Sequence, residues 1–134
     1  MLLQNLTNQI ICAFYKVYNS LGHGFLEKVY ANSMAIELRK SKLEAVQEQK
    51  VTVFYQGEPV GIYIADIVVN DLVILELKAV GFLRNEHLAQ VTNYLKATDK
   101  EVGLLLNFGH KPEIKRVVLG NHLKRNLPKD RPCS

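Results

Sequence analysis

Cysteine is scarce in this chain of 134 residues, which has two, Cys12 and Cys133. Two thiols so placed make no disulfide framework, and a reducing cytoplasm is the expected setting. Cys12 falls within an apolar helical pattern and reads as a small core residue, whereas Cys133 stands next to last in a polar stretch. Long hydrophobic runs are missing too. No stretch reaches the ~18 apolar residues that a membrane span needs. The opening MLLQNLTNQI has no basic region ahead of an apolar one, so a secretory leader is not expected. The four histidines, His23, His87, His110 and His122, show no zinc-ligand spacing with the cysteines. A P-loop, a dinucleotide fingerprint and a Ser-His-Asp elbow are absent, and so are internal repeats.

What is present is an ordinary globular composition, 48% hydrophobic and 22% charged, with a net charge of +4 and a pI near 9.1. The mild basic bias suits a polyanionic ligand without requiring one. Leu6, Ile10, Phe14, Val17 and Leu21 recur at helical spacing and predict a helix over 3–20, broken by Gly22, His23 and Gly24. A second helix over 25–40 carries the stripe Leu26, Val29 or Tyr30, Met34 and Leu38, with Ile36 on its flank. Residues 51–55 read as a strand and 57–59 as a turn. Two nearly continuous apolar runs, 62–69 and 72–80, are split by Asn70 and Asp71 and read as a hairpin with both faces covered. A third helix is expected over 84–97, a buried strand over 102–108 and a last strand over 114–119. Helices must cover the sheet, so the class is α/β or α+β. One domain is expected over 1–119. From 120 to 134 the composition turns basic, with two prolines, and reads as a mobile tail.

Charges do not belong in a sheet buried on both faces unless they are paired or bind a metal. Yet Asp66 lies inside the first apolar run, and Glu76 and Lys78 inside the second. Glu76 and Lys78 are two apart on a strand and share a face. Whether Asp66 joins them depends on parity. A two-residue loop at Asn70 and Asp71 puts the two acids on opposite faces. For them to converge the turn needs an odd loop or a bulge. A loop such as Val69-Asn70-Asp71 with Asp71 left-handed makes them diagonal neighbours about 7–8 Å apart. Two carboxylates at that spacing can hold one hard cation. The plainer reading of Glu-x-Lys is a solvated edge-strand face.

The order of these residues resembles a known signature. Asp66, a hairpin, then Glu76-Leu77-Lys78 looks like the motif of PD-(D/E)XK nucleases. Gln90 and Tyr94 resemble the Q-x-x-x-Y motif of one of their subsets. Gly24, Glu27 and Tyr30 match the Gly-x-x-Glu-x-x-Tyr motif of the GxxExxY family, and the run 104–109, LLLNFG, is similar to that family as well. The resemblance covers about residues 5–119 and leaves the basic tail outside. It implies a restriction-endonuclease-like core, a central mixed sheet flanked by helices.

The resemblance also implies a site. Asp66 and Glu76 would hold Mg²⁺ or Mn²⁺, with the Leu77 backbone carbonyl as a further oxygen and Glu27 as an additional acidic position. Lys78 would orient or activate water. Gln90 and Tyr94 would face the site, touching phosphate or bracing Lys78, and Tyr30 would pack or hydrogen-bond behind Glu27. Taken by their spacing alone, Glu27 is a charge at a helix N-terminus, and Gln90 and Tyr94 are the polar flank of an amphipathic helix. Glu86 and His87 lie near the same face, His87 reading better as a surface residue. The implied activity is metal-dependent hydrolysis of phosphodiester bonds, in DNA before RNA. The alternative is a non-catalytic nucleic-acid-binding or protein-interaction module on the same fold. A homo-oligomer stays open.

Overall fold

A computed structural model describes residues 3–125. The elements run α1 (Gln4–Leu21), α2 (Glu27–Lys40), β1 (Ala45–Tyr55), β2 (Glu58–Val69), β3 (Val73–Lys78), α3 (Asn85–Ala97), β4 (Val102–Phe108), β5 (Pro112–Val118) and a 3₁₀ turn, Asn121–Leu123. The five strands form one mixed sheet in sequence order. β1, β2 and β3 are antiparallel neighbours, β3 and β4 are parallel, and β5 returns antiparallel. Only the parallel step needs a long crossover, and α3 supplies it. This is the expected α/β class with a restriction-endonuclease-like core.

The sheet has helices on both faces. On one face Ile10, Phe14 and Val17 of α1 and Tyr30, Met34 and Leu38 of α2 pack on Ile67, Val69, Leu75, Leu77, Leu104 and Leu106. On the other face Val91, Tyr94 and Leu95 of α3 cover Ala65, Val68, Ile74 and Leu105. Phe108 anchors the first layer. Its ring stacks on Tyr30 at 4.3 Å and meets Phe14 edge-on at 4.8 Å. Such aromatic pairs add roughly 0.5–1.5 kcal/mol beyond area burial. All of β4 is buried, as its unbroken apolarity requires.

Several expectations shift. Of the two options for α2, Tyr30 faces the core and Val29 does not, and Leu26 is 80% exposed. Cys12 is exposed rather than a core residue, because the buried stripe of α1 passes through Ala13 and Phe14. β1 begins at Ala45, earlier than expected, since the polar run 47–50 hides a strand. The first hairpin turn is made by Gln56 and Gly57, both at positive φ, with Glu58 and Pro59 already in β2. Two successive positive-φ residues match the right-handed twist of the strands they join. The covering on both faces fails in the outer half of β2, where Ile62 is 62% exposed and Val60, Ile64 and Phe54 are exposed beside it. There β2 pairs with β1 alone, and the two strands project as a ribbon past the helical layers.

The 3₁₀ turn lies in what was expected to be a tail. The ammonium of Lys124 is buried and donates to the carbonyl of Thr98 at 2.8 Å and to that of Lys100. A cation at the C-terminus of α3 suits the helix dipole. Residues 126–134 of the expected basic tail lie outside the described residues. Among the described residues no helix is long and apolar enough to cross a membrane.

Candidate active site

The parity question is decided by the β2–β3 register. Val69 pairs with Val73, Val68 with Ile74 and Ile67 with Leu75. The loop is therefore Asn70, Asp71 and Leu72, three residues but one further along than the sequence suggested. Asn70 and Asp71 both take left-handed conformations, φ 51° and 55°, which short polar side chains tolerate. Extended by one rung, this register sets Asp66 straight across from Glu76 rather than diagonal to it.

The ladder itself stops at Ile67 and Leu75. Beyond it the Leu77 N–H donates to the Asp66 side chain, at 2.7 Å to Oδ2, where a longer ladder would use the β2 backbone. Asp66 thus spans the gap where the strands part. β2 also rotates here. Ala65 packs on the α3 side and Ile67 on the α1–α2 side, although strict alternation would put them on one face. Opposite Asp66 in β1, Glu48 adopts φ 54° and drops out of the pairing between Gln47 and Gln49. An irregularity of this kind bends a strand and re-aims a side chain.

Burial and mutual repulsion shape the acids. Glu76 is buried and pushed up to about 8, chiefly by burial, then by the charge of Asp66, with Lys78 opposing. Asp66 is also raised by burial, against the Leu77 N–H and the Lys78 charge, which favour its ionised form, while Glu27 disfavours it. Two acids and one ammonium leave a negative site when both acids ionise. Mg²⁺ is commonly held by one or two carboxylates with water completing its shell, so the donor set fits a hard divalent cation. Among the described residues no three His, Cys, Asp or Glu side chains form a ready-made cage.

Glu27 opens α2. Its Oε2 lies 3.4 Å from the Ala79 N–H, one residue past Lys78. Gly22 and Gly24 make the left-handed turns that lead to it. Tyr30 ties that loop down, its hydroxyl donating to the Gly22 carbonyl at 2.6 Å and accepting the Phe25 N–H at 3.2 Å. Tyr30 is therefore a buried brace for the loop that leads into α2. Glu27 and Asp66 line a cavity of about 200 Å³ with Lys28, Ala31, Gln47 and Glu48. Gln47 and Glu48 escaped notice in the sequence because their polar run looked like a loop. Glu48 is ion-paired with Lys28 at 2.6 Å on the surface.

The Gln90 and Tyr94 pair divides. Tyr94 is buried, and its hydroxyl donates to the Gln49 carbonyl at 3.3 Å, joining α3 to β1. Burial raises its pKa, with smaller upward pushes from Glu76 and Asp71 against Lys100. Gln90 is exposed one turn earlier, as is Glu86. His87 accepts the Arg84 N–H at 3.0 Å and so caps the start of α3.

The geometry and the comparisons agree at the level of the family. Residues 4–117 match the PD-(D/E)XK nuclease superfamily, and the chain belongs to it. No curated protein matches the chain. Among solved structures the fold is similar to the crystal structure of SSO0001, with a TM-score of 0.57 and 14% identity over 70% of this chain. The chain spans half the length of that protein, and at this identity the likeness speaks for the fold.

Proposed function

We propose that this chain is a metal-dependent nuclease acting on DNA, and that within the superfamily it is one of the GxxExxY proteins. The observation that carries this reading is the pair Asp66 and Glu76, brought together where β2 and β3 part, with Lys78 two residues on. Asp66, Glu76 and the Leu77 carbonyl are the proposed oxygen ligands of Mg²⁺ or Mn²⁺, with Glu27 a further acidic group. A cation so held supplies Lewis acidity to the scissile phosphate and makes water a better nucleophile at neutral pH. Asp66, already fixed by the Leu77 N–H, presents its carboxylate without a large loss of freedom on binding. Lys78 places positive charge where the transition state gathers negative charge, and it orients the attacking water. Glu27 and Tyr30 hold the other wall, and Tyr94 fixes α3 against β1 beneath it. Gln90, on the exposed side of α3, is the proposed contact to the phosphate backbone.

The basic segment, including Lys129 and Arg131 outside the described residues, adds salt-dependent affinity in this reading. The exposed apolar ribbon of β1 and β2 favours a second reading, a protein-interaction module on the same fold. One experiment separates them: cleavage of mixed DNA and RNA substrates with Mg²⁺ or Mn²⁺, beside Glu76→Ala. Metal-dependent cleavage lost in Glu76→Ala supports the nuclease. A wild-type chain that binds a partner but cleaves neither substrate refutes it.

A further inference from the structure

Lys78, Asn107 and Glu113 stand in one row across three strands. Lys78 pairs with Asn107 in the parallel ladder, and Asn107 pairs with Glu113 in the next. Asn107 is fully buried, at 0% exposure, in the midst of the apolar strand β4. A buried amide must be satisfied, and this one is spent on the chain that leaves β3. Its Oδ1 accepts the Val80 N–H at 3.0 Å, and its Nδ2 donates to the Val80 carbonyl at 3.0 Å and to Glu113 Oε1 at 2.9 Å. The same Glu113 oxygen accepts the Leu83 N–H at 3.2 Å. Gly109 completes the arrangement. A Cβ there would stand 2.2 Å from the Val80 carbonyl oxygen, so only glycine lets the chain lie this close. From the other side Glu27 reaches the Ala79 N–H.

β3 ends at Lys78, so residues 79–83 have no strand partner among the described residues. Without a substitute, the backbone just after Lys78 would be free to swing, and the ammonium with it. We propose that Asn107 and Glu113 are positioning residues for Lys78. They clamp the exit of β3 so that the ammonium keeps its place on the Glu76 face of the strand. The inference rests on the nuclease reading for its consequence in rate, though not for the clamp itself. It also gives the Asn and Gly of the run 104–109 separate tasks, one as the clamp and one as the space for it.

The test uses the full chain with Asn107→Leu, Glu113→Leu and Glu113→Gln, each studied where circular dichroism shows it folded. Misplacing a reacting group by about 1 Å can cost on the order of 100-fold in rate. Asn107→Leu and Glu113→Leu are expected to lower kcat by about 10-fold to 100-fold, with KM and Mn²⁺ affinity little changed. Glu113→Gln keeps an acceptor and recovers most of the rate. Amide exchange at Val80 and Leu83 is expected to accelerate in Asn107→Leu. Should Asn107→Leu fail to fold, Glu113→Leu, at a half-buried edge-strand position, carries the test through its own kcat and Leu83 exchange. Wild-type kcat in either folded leucine variant overturns the inference. So does a rate loss that Glu113→Gln shares in full. If the wild type cleaves nothing, the nuclease reading fails by itself, and unchanged exchange at Val80 and Leu83 then overturns the clamp.

Discussion

The inner and outer halves of β2 behave as two different strands. From Ile67 to Val69 the strand is buried, paired on both sides and covered by helices on both faces. From Glu58 to Ile64 it pairs with β1 alone, and Val60, Ile62 and Ile64 are exposed. Both halves are rich in β-branched residues, so propensity does not separate them. What separates them is the end of β3. Where β3 turns away the sheet loses a partner, and Asp66 stands at that boundary. The lesson is that the candidate site occupies a fault in the sheet. Two strands part, a carboxylate takes a backbone N–H, and a half-buried acid comes to face a buried one.

The comparison predicts its largest effect in stability. Ile67→Ala is expected to cost about 2–5 kcal/mol, as deletions in a packed core do, and Ile62→Ala no more than about 0.5 kcal/mol. Urea denaturation of both variants measures the difference, and equal losses would remove the distinction between the halves.

Next comes the chemistry at the boundary. Lys78→Met keeps much of the stem volume and leaves the oxygen ligands in place. Its rate is expected to fall by about 10²–10³-fold while metal affinity is retained. Single-turnover cleavage and titration calorimetry, run side by side, check both halves of that statement. Wild-type cleavage in Lys78→Met would rule out the role given to it.

A smaller effect follows from Glu76, whose folded-state value of about 8 lies above its ordinary 4.5. The folded state then holds a proton that the unfolded chain releases. Without metal, stability should fall as pH rises from about 4.5 to about 8 and level off above that. Melting temperatures across this range test the sign. Glu76→Gln, which is never charged, should flatten the profile, and saturating Mn²⁺ should oppose the decline. A metal-free melting temperature that rises through this window in the wild type but not in Glu76→Gln would contradict the assignment.

The least effect is expected at Glu48, on the same rung as Asp66 but exposed and salt-bridged at the surface. Lys28 holds its carboxyl below the ordinary range, first through their hydrogen bond and then through charge. Solvent screens such a pair. Glu48→Gln should leave the melting temperature unchanged within error. A clear loss would show that this rung is held from the β1 side as well.

Much of this was legible in the residues. The three helices and the buried strand Val102–Phe108 follow from hydrophobic period. Charges inside apolar runs pointed to Asp66, Glu76 and Lys78, and parity showed that an odd loop or a bulge was needed for them to meet. Those are local properties, carried by spacing along one strand or helix. Tertiary structure alone decided where the turn fell, because its register depends on which β2 residues the helices bury. It alone exposed the outer ribbon, because coverage depends on where β3 ends and not on the apolarity of β2. It alone gave Asn107 and Glu113 their backbone partners, Val80 and Leu83, which lie 27 and 30 residues away in the chain. A buried amide in a strand signals that a partner exists, but only the packed sheet says which backbone it holds, since hydrogen bonds of that reach are set by distance in space rather than by sequence.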